Sequence, residues 1–153
     1  MNPEPLVRPV EILLVEDNRG DARLLEEALR LSSAAHRLHH VSDGAEAVRF
    51  LRREDPHTQA VRPDIIFLDL NLPKLSGREV LGQIKRDPEL KQIPVIVLST
   101  SAAAEDIEAC YELHANCYLT KSSDLEEFLK AMKTVEEFWL KLAKLPAKEV
   151  KND

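Results

Sequence analysis

The apolar residues of this chain fall into short unbroken runs and longer periodic stretches, and the two alternate. Residues 65–68, Ile-Ile-Phe-Leu, form the cleanest run, and Asp69 ends it, with Asn71 and Pro73 close behind. An apolar run this short suits a strand buried on both faces of a parallel sheet. Residues 11–15 form a first such strand, which stops at Glu16-Asp17, and residues 94–98 form a fourth, closed by Ser99-Thr100-Ser101. Two weaker runs, 37–41 and 116–119, predict a polar edge strand and a short last strand. Between them the apolar spacing turns helical: Leu24, Leu25, Ala28, Leu29 and Leu31; Ala47, Val48 and Leu51; Val80, Leu81 and Ile84; Ile107, Cys110 and Tyr111. Ser32-Ser33 ends the first helix, and Asp87-Pro88 ends the third, since a residue before proline avoids the helical region.

The last periodic stretch is the longest. Leu125, Phe128, Leu129, Met132, Val135, Trp139 and Leu142 recur at helical spacing, Ser123 with Glu126 reads as a capping box, and Pro146 marks the end. Strand and helix thus alternate five times. That order predicts an α/β domain, a parallel sheet with helices on both faces and an extended C-terminal helix. Residues 1–9 read as a flexible lead-in, 10–146 as the domain, and 147–153 as a charged tail.

Composition narrows the class. The chain has 153 residues, 44% hydrophobic and 31% charged, enough for one domain with a substantial core. A net charge of -6 argues against nucleic acid or an anionic membrane as partner. The N-terminus lacks the basic and apolar segments of a signal peptide, and no apolar run reaches membrane-spanning length, so a cytoplasmic protein is expected. Cys110 and Cys117 read as reduced packing residues, and His36, His39, His40, His57 and His114 show no ligand spacing on a helix. No phosphate-binding glycine fingerprint is present.

Candidate chemistry sits where the strands stop. In a parallel sheet all C-terminal strand ends share one edge, the edge at which α/β proteins bind ligands. Glu16, Asp17 and Asp69 would meet there, beside Ser99 and Lys121. Clustered carboxylates repel, and a hard divalent cation such as Mg²⁺ resolves the conflict. With the cation and Lys121 to neutralise phosphoryl oxygens, Asp69 becomes a candidate nucleophile.

These residues stand in motifs that resemble the receiver domains of two-component response regulators. The resemblance runs through Leu13-Leu14-Val15-Glu16-Asp17-Asn18, Ser42-Asp43-Gly44-Ala45-Glu46-Ala47, Asp69-Leu70-Asn71-Leu72-Pro73, Pro94-Val95-Ile96-Val97-Leu98-Ser99 and Tyr118-Leu119-Thr120-Lys121, and covers residues 10–143. It implies a doubly wound, flavodoxin-like sheet of order 2-1-3-4-5. It implies that Asp69 accepts a phosphoryl group from a sensor histidine kinase. Asp17, Asp69 and the carbonyl of Asn71 would bind Mg²⁺ directly, and Glu16 through water. Lys121 would contact the phosphoryl group, Ser99 (with Thr100 its rival) and Tyr118 would form the switch, and Asn71 and Ser101 would tune hydrolysis. Receivers usually carry proline after this lysine, often with a cis bond; Ser122 stands here, where a cis bond would cost ~3 kcal/mol, so the sequence leaves the isomer of this bond and the exact placement of Lys121 open.

A narrower likeness runs to the stand-alone regulators of bacterial phytochromes, through Asn18-Arg19-Gly20-Asp21, Asp87-Pro88-Glu89-Leu90-Lys91, Glu137-Phe138-Trp139-Leu140 and Leu145-Pro146. Such regulators pair through their C-terminal helix, which makes Phe138, Trp139 and Leu142 candidate homodimer contacts. Two other readings stay open. An aspartate-nucleophile phosphohydrolase would place a second acid where Asn71 stands. A constitutive adaptor would never be phosphorylated.

Overall fold

The computed structural model describes residues 8–146. Five strands, β1 (Val10–Val15), β2 (His36–Val41), β3 (Ile65–Asp69), β4 (Val95–Ser99) and β5 (Cys117–Thr120), form one parallel sheet in the order β2-β1-β3-β4-β5. The interleaved helices are α1 (Arg19–Arg30), α2 (Gly44–Arg52), α3 (Gly77–Arg86), α4 (Ala104–Glu112) and α5 (Leu125–Val135). The three apolar runs became the three central strands, because only strands covered on both faces can bury every side chain. In β3 and β4 each residue is buried, whereas in edge strand β2 only Val41 is buried.

Two cores result. Leu13, Val15, Ile66, Leu68, Val95 and Val97 point to the face covered by α2, α3 and α4. Ile12, Leu14, Ile65, Phe67, Ile96 and Leu98 point to the face covered by α1 and α5. This is the period-two alternation of a strand. The helices start at side-chain caps: Asn18, Asp43, Ser76 and Asp124 each accept a backbone N–H from the first turn of α1, α2, α3 and α5. The cap of α5 is therefore Asp124, one residue beyond the expected Ser123. Asp124 takes the N–H groups of both Glu126 and Glu127, while Ser122 pairs with Glu127.

Two glycines are required by close approach. A Cβ on Gly77 would lie 2.3 Å from the carbonyl oxygen of Asp69, and one on Gly44 would lie 2.0 Å from that of Leu75. The first lets α3 begin directly against the end of β3.

The C-terminal helix departs from the expected pattern. After Val135 it continues without a break into a π-helical segment, Glu136–Leu142, closed by a bond from the Ala143 N–H to the Phe138 carbonyl. A π turn holds an extra residue, so the inward face shifts by one position. Leu140 is buried, Trp139 half-buried, and Leu142 is 70% exposed. Leu125, at the other end of the expected stripe, is also exposed, as are Leu24 and Leu31 of the α1 pattern. The helix stops at Leu142, short of Pro146.

Of the expected lead-in, residues 1–7 lie outside the described residues, as does the tail 147–153; Arg8 is tied to the domain by an ion pair to Asp64 at 2.7 Å. Among the described residues the one cis peptide is Asp55-Pro56, so the Lys121-Ser122 bond, which the sequence left open, is trans.

Candidate active site at the carboxyl edge of the sheet

The ends of β1, β3 and β5 bring four of the sequence candidates together. Glu16 follows β1 and is buried, Asp17 beside it is exposed, and Asp69 is the buried last residue of β3. Carboxylate oxygens of these three lie within 4.8 Å of one another. Lys121, just past β5, reaches into the cluster. Its Nζ lies 2.5 Å from Glu16 Oε1, 3.1 Å from Asp21 Oδ2 and 3.6 Å from Asp69 Oδ2. The Lys121 N–H donates to the Ser99 carbonyl at 2.7 Å, which anchors the lysine's own backbone to β4. The trans bond after Lys121 is thus compatible with its entry into the cluster.

Electrostatically the cluster is short of positive charge. One lysine faces three carboxylates, with Asp21 a fourth. Burial is the main cause that pushes the Glu16 carboxyl up to about 7, its contact with Asp69 adds to this, and Lys121 opposes it. Burial alone would lower the Lys121 ammonium; the hydrogen bond to Glu16 and the charges of Asp69 and Glu16 outweigh it and hold the ammonium above its usual range. An all-oxygen donor set with surplus negative charge at a strand-end rim fits a hard divalent cation.

The remaining candidates sit around this centre. Asn71 is exposed, and its backbone N–H donates to Asp69 Oδ1 at 3.3 Å. Ser99 is 1% exposed at the end of β4 beside Asp69's strand, while Thr100 points to solvent, so the buried hydroxyl of the pair is Ser99. Ser101 bonds its neighbours rather than the cluster, and the Tyr118 hydroxyl donates to the Ser101 carbonyl at 2.8 Å. The Tyr118 ring packs against the α2–α3–α4 core. Phe138, Trp139 and Leu142 are on the π-helical segment, apart from the cluster.

Two residues at the site went unmarked in the sequence. Asp21 stood only in the Asn18-Arg19-Gly20-Asp21 likeness, with no role assigned, yet it shares Lys121. His40 read as an edge-strand residue, yet its Nε2 donates to the Glu16 carbonyl at 2.7 Å and ties the acidic loop to β2. Nothing in their spacing announces either role, because both partners are distant along the chain.

Fold, cluster and lysine together define a phosphoryl-accepting receiver. A profile of the response regulator receiver domain matches residues 12–133. The chain is 50% identical over 139 residues to the response regulator Rcp1 of Synechocystis sp. (strain ATCC 27184 / PCC 6803 / Kazusa), a match that covers 91% of this chain and 95% of that protein. The Mn²⁺-bound crystal structure of Rcp1 superposes with a TM-score of 0.88, covering 91% of this chain and 100% of the other. The phosphorylated cyanobacterial phytochrome response regulator RcpA gives a TM-score of 0.88 at 53% identity, covering 92% and 100%. The receiver of the sensor histidine kinase PA1611 from Pseudomonas aeruginosa PAO1, solved with magnesium in its active-site cleft, gives 0.66 at 31% identity, covering 83% and 97%.

The chain belongs to the response regulator receiver family. It is related to the phytochrome regulators Rcp1 and RcpA, and is a signalling switch that takes phosphoryl groups from histidine kinases rather than an enzyme. The phosphohydrolase alternative is thereby set aside. Solved relatives bind divalent cations, Mn²⁺ in Rcp1 and magnesium in the active-site cleft of the PA1611 receiver, and an acidic cluster that could hold one is present here. Among the described residues no helix is long and apolar enough to cross a membrane.

Proposed function

We propose that Asp69 is the phosphoacceptor, that the cation is Mg²⁺, and that the donor is the phosphohistidine of a phytochrome-type sensor kinase. An oxygen of Asp69 attacks phosphorus in line, the bond to the histidine nitrogen breaks, and the electron pair stays on the imidazole, which takes up a proton. The product is an acyl phosphate on Asp69. Asp17, Asp69 and the Asn71 carbonyl would hold Mg²⁺, with Glu16 acting through water; when bound, the ion neutralises phosphoryl oxygens. Lys121 supplies the protein's own positive charge to the same oxygens. The Ser99 hydroxyl then donates to the phosphoryl group and Tyr118 follows it, while Asn71 and Ser101 control access of water to the acyl phosphate. The observation that carries this reading is the buried Asp69 within reach of both the Lys121 ammonium and the acidic pair.

Incubation with acetyl phosphate and Mg²⁺ should place one phosphoryl group per chain on the wild type and none on Asp69→Asn. A label that survives the substitution refutes the assignment. Equal partner affinity for both proteins, with and without phosphodonor, would leave the constitutive adaptor.

The output is proposed to include a homodimer through the C-terminal helix. Phe138 is 49% exposed and stacks edge-on against Trp139 with centroids 5.2 Å apart; Leu142 and Leu125 are open as well. Exposed aromatics of this kind can anchor an interface. Light scattering with and without phosphodonor tests this, and a monomer in both states excludes it. Two free cysteines agree with a reducing, cytoplasmic setting.

A further inference from the structure

The loop between β4 and α4 is organised around Ser101, and every polar group of that residue is engaged. Its N–H donates to Ser99 Oγ at 3.1 Å, and its carbonyl accepts the Tyr118 hydroxyl at 2.8 Å. Its hydroxyl accepts the Ala103 N–H at 3.2 Å and donates to Asp106 Oδ2. The other oxygen of Asp106 takes an ion pair from Arg78 on α3. One residue thus joins the switch hydroxyl, the switch aromatic and two helices.

A carboxylate in the first turn of a helix ordinarily serves that helix, through exposed N–H groups and the helix dipole. Asp106 is placed differently. The N-cap of α4 is Ala103, which offers no side-chain bond, and the hydrogen bonds of Asp106 run to the Ser101 hydroxyl and the Arg78 guanidinium. Both are charge-assisted, and so stronger than the neutral bonds of the loop. With Ser101 held, Tyr118 keeps the carbonyl that fixes its ring against the core, and Ser99 keeps an N–H on its oxygen, which leaves the Ser99 hydroxyl proton free to be donated elsewhere.

We propose that Asp106, oriented by Arg78, is a positioning residue for phosphorylation: it holds Ser101, and through it Ser99 and Tyr118, in the engaged arrangement before a phosphoryl group arrives. The inference rests on the phosphoacceptor reading of Asp69. Removing the carboxylate frees the loop, so the Ser99 hydroxyl is present at the site for a smaller fraction of time and labelling slows.

The test uses the full chain with acetyl phosphate and Mg²⁺. Asp106→Ala should label about tenfold more slowly, the scale of one charge-assisted hydrogen bond. Asp106→Asn, which keeps an acceptor for the Ser101 hydroxyl, should stay within about threefold of wild type. Ser101→Ala should reproduce Asp106→Ala, and the double variant should be no slower than either, since both act through one bond. The chain has two tyrosines, so fluorotyrosine incorporation gives two ¹⁹F signals, assigned with Tyr111→Phe. Asp106→Ala should move the Tyr118 signal and leave Mg²⁺ affinity unchanged. An unchanged rate with an unmoved Tyr118 signal overturns the proposal, as does additivity of the Ser101 and Asp106 effects. A wild-type label that Asp69→Asn also acquires overturns the phosphoacceptor reading instead.

Discussion

The sheet buries carboxylates at both edges and treats them oppositely. At the edge where the strands begin, Glu11 and Asp64 are 5% and 8% exposed. Glu11 accepts from Arg37 at 3.2 Å and from His39 at 2.7 Å; Asp64 accepts from Arg8 at 2.7 Å and from the Glu11 N–H at 2.8 Å. Each acid has its own donors. At the edge where the strands end, Glu16 and Asp69 are buried to a similar degree, but they share Lys121 with Asp21, and Asp17 adds a further carboxylate to the cluster. Burial is therefore not what distinguishes a carboxylate at one edge from one at the other. The balance of charge around it is, because a group left short of partners binds whatever cation or electrophile restores the balance.

The largest effect expected from disturbing that contrast is at the shared lysine. Lys121→Ala should slow labelling by acetyl phosphate about 10²–10³-fold, the loss typical of one preorganised donor to a developing oxyanion. A rate within threefold of wild type would show that Lys121 serves only the resting cluster.

The surplus charge also predicts a pH dependence. Glu16 takes a proton at about 7 rather than at its usual 4.5. Cation binding must displace that proton, so apparent Mg²⁺ affinity should rise by up to about tenfold per pH unit below 7 and level off above it. Stability of the cation-free protein runs the other way. The folded state binds more protons than the unfolded chain between 4.5 and 7, so the contribution of Glu16 to stability is fully present below 4.5 and is lost as pH rises through 7. Thermal melts in a chelator, and titrations with Mg²⁺ from pH 5.5 to 8, measure the two slopes; Glu16→Gln should flatten both.

At the opposite edge the currency is stability. Asp64→Ala removes the acceptor of the Glu11 N–H and should lower unfolding free energy by about 1–3 kcal/mol, with labelling per folded molecule unchanged. Glu16→Gln should be the mildest in stability: above pH 7, without a cation, it removes a destabilising charge and leaves the melting temperature equal or slightly raised. If Asp64→Ala is silent and Glu16→Gln unfolds the protein, the division between the edges is wrong.

How much of this was legible in the chain differs from element to element. The clustering of acids at one edge was, because apolar runs that stop at Glu16, Asp69 and Ser99 mark strand ends, and a parallel sheet lines up its ends on one side. Thr100 against Ser99 was decided by the pleat, which buries one hydroxyl and exposes its neighbour. The C-terminal helix was misread in register, since a π turn moves the buried face by one residue, from Trp139 to Leu140, and leaves Leu142 exposed; such a turn leaves no mark in a pattern of period 3.6.

By itself, then, the sequence determined the alternation of strand and helix, the sheet it demands and the group of residues at its carboxyl edge, because these follow from local periodicity and the direction of a parallel sheet. Only the tertiary structure decided which carboxylates are matched by their own donors, that Asp21 and His40 support the site, and that Asp106 reaches across from α4 to Ser101 and Arg78. Each of these depends on the distance between side chains brought together by folding, and hydrogen bonding and charge act over those distances rather than along the chain.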